Sequence, residues 1–179
     1  MMDKFIVKIA DILKKTRIPY MIIGGQAVLL YGEPRLTKDI DITLGIGIDE
    51  LDKIIDIMKK IGLKALCENV KSFVKETYVL PTQNVKNSIR VDFIFSYTVY
   101  ERQAIKRVNK IKINTGFVNF ASIEDLIIHK IFAGRKRDIE DVKTIILKNP
   151  KIDKKYIKYW LKKFGKNFPA SFDKLVIIK

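Results

Sequence analysis

Cysteine and histidine are nearly missing from this sequence, and long apolar runs are missing altogether. Of 179 residues one is cysteine, Cys67, and one is histidine, His129. A single cysteine excludes an intramolecular disulfide and any Cys-x-x-Cys metal site, and a single histidine excludes a histidine cluster as a metal centre. The apolar runs, such as Tyr20-Met21-Ile22-Ile23 and Val28-Leu29-Leu30, fall far short of the ~20 residues that a membrane span requires. With no secretory core near Met1, the expectation is a cytoplasmic protein in a reducing compartment, with no membrane partner.

Negative charge is also short: 35 Lys+Arg face 20 Asp+Glu, for a formal charge of +15. Residues 142–179 alone carry 11 lysines against two aspartates, a net +9. A basic surface of that density favours a polyanion, because each phosphate neutralised releases condensed counterions. The plain alternatives are solvated helix faces and the lysine-rich composition common in proteins from hot habitats. With 47% hydrophobic residues, the chain has enough apolar surface to bury a core without disulfides.

Periodicity orders the chain as alternating helices and strands. Phe5, Ile6, Ile9, Ile12 and Leu13 recur at helical spacing, Arg17-Ile18-Pro19 breaks the period, and a short strand over 20–23 runs into Gly24-Gly25. A short helix follows to Gly32, then a loop at Glu33-Pro34-Arg35. Asp39-Ile40-Asp41-Ile42-Thr43-Leu44 alternates with period two, which predicts a strand with one buried face. Asp49 is expected to cap a helix that Gly62 stops. Strands are expected at Ser72-Phe73-Val74 and Thr77-Tyr78-Val79-Leu80, with a polar loop around Gln83-Asn84 and another strand over 89–95. A helix carrying Arg102, Lys106 and Arg107, a strand near 117–120, a helix capped by Ser122 with Asp125, and a helix from Asp153 to Gly165 complete the reading. The fold class is mixed α/β, a short mixed sheet flanked by helices, divided into a core over 1–120 and a basic helical region over 121–179 packed on it.

Three carboxylates carry the chemistry. Asp39 and Asp41 lie one residue apart on a strand, so both side chains project from the same face, about 7 Å apart at their Cα atoms. Two such carboxylates suit one hard cation, and Mg²⁺ in particular combines one or two carboxylates with the phosphates of a substrate. Asp92 stands between Val91 and Phe93 in an otherwise apolar strand, where an unpaired carboxylate is costly; it must lie at a strand end, be paired, or sit on a metal. Gly24-Gly25, between a strand and a helix, leaves room for phosphate oxygens at a helix N-terminus. Taken singly, a Gly-Gly pair also reads as an ordinary turn and an Asp-x-Asp as a solvated strand edge.

Together, Gly24-Gly25, then Asp39-Ile40-Asp41-Ile42, then Val91-Asp92-Phe93-Ile94 resemble the signature of the DNA-polymerase-β-type nucleotidyltransferases. Two further stretches, Arg35-Leu36-Thr37-Lys38 and the run from His129 to Asp141, are similar to the AbiEii-like branch of toxin-system enzymes. The resemblance covers about half the chain, and residues 147–179 fall outside it. It implies a nucleotidyltransferase fold and transfer of a nucleoside monophosphate from an NTP to an acceptor hydroxyl. It also implies two Mg²⁺ ions, with Mn²⁺ as a substitute, on Asp39, Asp41 and Asp92, and a nucleotide site including Gly24, Gly25, Arg35, Thr37, Lys38, Lys130, Arg137 and Asp138.

On one continuous helix Lys130, Arg137 and Asp141 share a face, with Asp138 one position round. Lys130 is then expected on the nucleotide phosphates, Asp138 holding Lys130 or Arg137, and Asp141 in a structural role; Gly134 is placed to interrupt that helix. His129 reads as a residue behind the site or on the surface, and Cys67, Trp160 and Tyr156-Tyr159 as packing. RNA, including a tRNA end, is the favoured acceptor, with a protein or small molecule as the alternative. A toxin or antitoxin partner fits the same resemblance, as does a non-catalytic binding module.

Overall fold

The computed structural model describes residues 2–165 and 167–176; Lys166 and Lys179, two of the eleven lysines of the basic tail, lie outside them. Helix α1 (Met2–Lys15) buries Phe5, Ile6, Ile9, Ala10 and Leu13, the stripe its period predicts. Strand β1 (Tyr20–Ile23) is buried throughout and leads directly into α2 (Gly24–Tyr31). Strand β2 (Asp39–Leu44) keeps Ile40 and Ile42 wholly buried, with Asp39 and Asp41 on the other face. After α3 (Leu51–Lys60) come β3 (Leu63–Ala65), α4 (Val70–Thr77), β4 (Val79–Asn84) and β5 (Arg90–Phe95). Then follow α5 (Val99–Ile105), the hairpin β6 (Asn109–Ile113) and β7 (Gly116–Phe120), and the helices α6 (Ile123–Ala133), α7 (Lys136–Lys148), α8 (Lys154–Phe164) and α9 (Phe168–Val176).

Among the described residues the strands form one seven-stranded mixed sheet in the order β3-β4-β5-β2-β1-β7-β6. β2 runs parallel to β5 and antiparallel to β1, and β1 runs parallel to β7. This is the mixed α/β architecture the periodicity predicts. Among the described residues no helix is long and apolar enough to cross a membrane.

Several local expectations are corrected. Ser72-Phe73-Val74 is helical rather than extended: Val74 is fully buried in α4, and Tyr78 ends the helix in the left-handed region at φ 59. Three residues are too short a window to tell period two from period 3.6, and packing decided. Gln83 and Asn84 belong to β4, and the polar turn follows them. Asp49 sits in a 3₁₀ turn (Ile48–Glu50) and does not cap α3. α5 ends at Ile105, leaving Lys106 and Arg107 beyond it, and Arg107 pairs instead with Glu124 and Asp125. β3 and β6 are strands the sequence reading passed over, although Asn109-Lys110-Ile111-Lys112-Ile113 alternates with period two. Ser122 and Asp153 do cap α6 and α8, accepting from Asp125 N at 3.1 Å and from Tyr156 N at 2.9 Å.

The continuous helix expected through Lys130 and Asp141 does not exist. α6 stops at Gly134, which takes φ 65, and α7 restarts at Lys136. A left-handed residue at this position is what glycine supplies without a Cβ clash. The break folds α7 back on α6, and it is this reversal that lets Lys130 meet Asp138 and Asp141.

Candidate active site

Strand register places the carboxylates. Asp41 on β2 lies directly opposite Asp92 on β5, and Asp39 opposite Arg90. On its other side Asp41 pairs in register with Ile23, the last residue of β1, so Gly24 begins α2 immediately beside it. A Cβ built on Gly24 would overlap the Asp41 carboxylate, and one on Gly25 would overlap the Thr37 hydroxyl. The two glycines therefore bring a helix N-terminus, a carboxylate and a hydroxyl to one spot. Ile23 caps α2 without any side-chain hydrogen bond, which leaves the helix's first amides to another partner.

These residues open onto a cleft of about 420 Å³. The sheet side carries Gly24, Gly25, Thr37, Asp39, Asp41, Arg90 and Asp92, and the α6–α7 side Lys130, Arg135, Arg137 and Asp138, with Arg35 reaching across to Asp141. Burial and then the neighbouring Asp92 and Asp39 push the Asp41 carboxyl up to about 6, against a partial offset from Lys130 and Arg135. Asp41 is thus a carboxylate whose ionised form neither its burial nor its two acidic neighbours favour. Among the described residues the carboxylates do not already close around a single point as a three-ligand metal cage. Asp92 is paired within its own strand, the Arg90 guanidinium donating from Nε to its Oδ1 at 3.0 Å. The Arg90 side chain is nearly half exposed. An all-oxygen set with an under-neutralised carboxylate fits a hard divalent cation that brings phosphate oxygens with it, so the residues present suit Mg²⁺ or Mn²⁺.

Across the cleft, α6 and α7 are joined by a buried ion cluster. Lys130 Nζ lies 2.9 Å from Asp138 Oδ1 and 2.7 Å from Asp141 Oδ2, with about 5% of its side chain exposed. Arg135 holds Asp138 through Nε at 2.5 Å and a second guanidinium nitrogen at 3.3 Å. Arg35 grips Asp141 in a bidentate pair at 3.0 and 3.1 Å, tying the loop before β2 to α7. Burial alone would raise the Asp138 carboxyl, but hydrogen bonds from Arg135 and Lys130 outweigh it and hold the group below its ordinary range.

The cleft brings together Gly24, Gly25, Arg35, Thr37, Asp39, Asp41, Asp92, Lys130, Arg137 and Asp138. Lys38 is exposed and outside the cleft's lining, because it alternates with Thr37 and Asp39 on an extended stretch and turns to solvent. Asp138 holds Lys130, as expected, but its second partner is Arg135 rather than Arg137, whose guanidinium reaches the Leu36 carbonyl at 3.4 Å. Lys130 has its ammonium committed to two carboxylates. His129 points away from the cleft and packs on Tyr100, ring centroids 5.4 Å apart. None of the α8 lysines lines the cleft. Arg90 and Arg135 were missed. Arg90-x-Asp92 repeats the spacing of Asp39-x-Asp41, a signal that was there to read, whereas Arg135 is hidden in a run of three basic residues.

Comparison with known proteins agrees with this architecture. Residues 1–168 match the family described as nucleotidyltransferase of unknown function (DUF6036), and the chain belongs to that family. No curated protein matches it. Among solved structures, the fold is similar to that of the antibiotic-resistance factor ANT(2'')-Ia, at 16% identity and a TM-score of 0.64 over 97% of this chain and 91% of that one. It is similar also to the lincosamide antibiotic adenylyltransferase LnuA, at 16% identity and a TM-score of 0.56 over 79% of this chain and 94% of that one. A third similar structure is an antigenic nucleotidyltransferase-like protein from Paracoccidioides brasiliensis, with 18% identity and a TM-score of 0.56 over 80% and 75%. At these identities the likeness is one of fold.

Two outcomes follow from the charges. Because the folded Asp41 carboxyl is raised from 3.8 to about 6, its stabilising contribution is complete below about pH 4 and is lost as pH rises through about 6. In EDTA, Asp41→Asn is therefore expected to melt higher than the parent at about pH 7.5, by the equivalent of about 2 kcal/mol, with little difference at about pH 4. A variant that melts lower than the parent at the higher pH contradicts this. Lys130→Met should cost about 2 kcal/mol in chemical denaturation, since it removes the buried cation shared by Asp138 and Asp141 and leaves each with a single arginine, whereas a lysine that merely waited for phosphate would cost almost nothing.

Proposed function

We propose that this nucleotidyltransferase moves a nucleoside monophosphate from an NTP to an acceptor hydroxyl on RNA, releasing pyrophosphate. The observation that carries the reading is the register that sets Asp41 between the start of α2 and Asp92, so that a helix N-terminus and two strand carboxylates stand side by side. Asp39 and Asp41 would hold the cation that accompanies the triphosphate, and Asp92 with Asp41 a second one beside the acceptor. When bound, such cations supply charge neutralisation on the phosphates and acidify the attacking hydroxyl. The α2 amides at Gly24 and Gly25, the Thr37 hydroxyl and Arg137 would orient the triphosphate for in-line attack. Lys130, already paired, acts at one remove by fixing Asp138 and Asp141 and, through Asp141, Arg35. In this division residues 1–120 furnish the three carboxylates together with Arg35 and Arg90, and 121–179 furnish Lys130, Arg135 and Arg137.

Charge supports an anionic acceptor. Two of the fold neighbours are antibiotic-modifying proteins, one seen with lincomycin and the other with adenylyl-2"-tobramycin. A polycationic acceptor of the tobramycin kind would meet Arg35, Arg90, Arg135 and Arg137 at the cleft and a protein of charge +15 around it. The single-stranded end of an RNA meets attraction instead. The stretches Arg35–Lys38 and His129–Asp141 further support a place beside the AbiEii-like enzymes, and with it a toxin or antitoxin partner.

Incubation with each α-labelled NTP, Mg²⁺ and total RNA should label RNA, and tobramycin offered in its place should stay unlabelled. Asp39→Asn and Asp41→Asn should abolish both transfer and Mg²⁺-dependent NTP binding. Asp92→Asn should lose transfer while keeping most of its NTP affinity, because it serves the acceptor side. Label appearing on a protein or on the antibiotic, with none on RNA, would overturn the acceptor assignment, and undiminished transfer by Asp41→Asn would overturn the site.

A further inference from the structure

A second cleft, of about 450 Å³, opens at the far end of β1 from Gly24, between the C-terminus of α1 and the β6–β7 hairpin. We propose that it binds a phosphate-bearing nucleoside, either free or as part of a single strand, independently of the carboxylate site. Lys14, Arg17 and Lys110 line it against one carboxylate, Asp11. None of the three cations is ion-paired with a described residue. Three cations against one carboxylate in a single concavity give it a positive potential that favours an anionic ligand.

Arg17 is the most informative of them. Helix α1 closes with Ile18 N donating to Leu13 O at 2.9 Å and Arg17 N to Lys14 O at 3.0 Å, which puts Arg17 in the left-handed region at φ 56. This closure ordinarily uses glycine, and a long side chain there is disfavoured. The helix end itself would be better served by glycine, so replacing Arg17 by glycine removes the guanidinium without cost to the fold. Lys14 has a local one, being in the last turn of its helix, where a cation offsets the helix dipole.

The cleft also presents a ring. Phe117 is 53% exposed on β7, and the Lys110 ammonium lies 5.2 Å from its ring centroid. Beside it, the Asn119 side-chain amide makes no hydrogen bond to a described residue, while its backbone N–H donates to the Tyr20 hydroxyl at 3.2 Å. An exposed aromatic face for stacking, an uncommitted amide for a base edge and cations for phosphate are together the parts that single-stranded nucleic acids use. An inorganic anion or an acidic peptide would leave the ring and the amide idle.

The test uses the full-length protein in EDTA, with fluorescent AMP and a labelled single-stranded oligoadenylate as the two probes. Arg17→Gly should weaken binding about tenfold and reduce the salt slope by about 0.7, the loss of one phosphate contact, while melting at the same temperature or higher. Phe117→Ala should weaken binding by a similar factor with the slope unchanged. Both variants should keep Mg²⁺-dependent NTP binding at the carboxylate cleft, so failure here is distinguishable from failure of the catalytic reading. Effects on both probes identify a nucleotide site, and effects on oligoadenylate alone identify a strand contact; either supports the proposal. Parent-like binding of both probes by Arg17→Gly would overturn it, as would displacement of oligoadenylate by polyglutamate as readily as by unlabelled RNA.

Discussion

Crowding of like charge on two adjacent parallel strands is the constraint around which this molecule is arranged. Asp41 and Asp92 face each other across β2 and β5, where strands run ~4.8 Å apart, and Asp39 lies one pleat further on. Nothing in an apolar sheet requires that arrangement, and folding it costs stability, since the Asp41 carboxyl resists ionisation. The flanking features are ones that a sheet bearing an unneutralised carboxylate group needs. Two glycines clear space over Asp41 and Thr37, a helix N-terminus without a side-chain cap adds positive potential, and Arg90 covers Asp92. Each of these also suits an anionic ligand arriving with its own cations.

The opposite side of the cleft solves the reverse problem. Lys130 is buried, with Arg35 partly so and Arg135 at the solvent edge, and Asp138 and Asp141 interleave with these cations into an alternating cluster. A pair of this kind contributes little net stability against apolar packing, but it fixes geometry, because any shift strands a buried charge. Its effect is to lock the loop before β2, the end of α6 and the start of α7 as one unit. Thr37 and Arg137, on the loop and helix so joined, both line the cleft.

Much of this was legible in the sequence, and the limits are physical. Period two over 39–44 and 89–95 identifies the central strands and places Asp39, Asp41 and Asp92 on accessible positions, because burial of one face leaves a strong alternating signal. The pairing of β2 with β5, and therefore the facing of Asp41 and Asp92, cannot be read from either strand alone, since register is set by contacts 50 residues apart in the chain. Short windows failed for a different reason: β3 has too few residues for a period, the three residues Ser72-Phe73-Val74 of α4 do not show one on their own, and Val74 is helical because its burial outweighs β-branched preference. At Gly134 the sequence offered the break and the continuous-helix geometry could not use it, although only the broken form unites Lys130 with both aspartates. Lys38 was included on its neighbours' merits, and alternation along an extended backbone turned it outward.

The claim on which the account rests is that Asp39, Asp41 and Asp92 hold divalent cations with a nucleotide whose phosphates lie on Gly24-Gly25. Crystals grown with Mn²⁺ and a non-hydrolysable NTP would test it directly through the anomalous signal of manganese. The account predicts peaks in contact with Asp41, shared with Asp39 on one side and Asp92 on the other, phosphate oxygens at the α2 amides, and the Arg90 guanidinium turned off Asp92. A nucleotide bound elsewhere, or a carboxylate trio free of manganese with Arg90 still closed on Asp92, would contradict it.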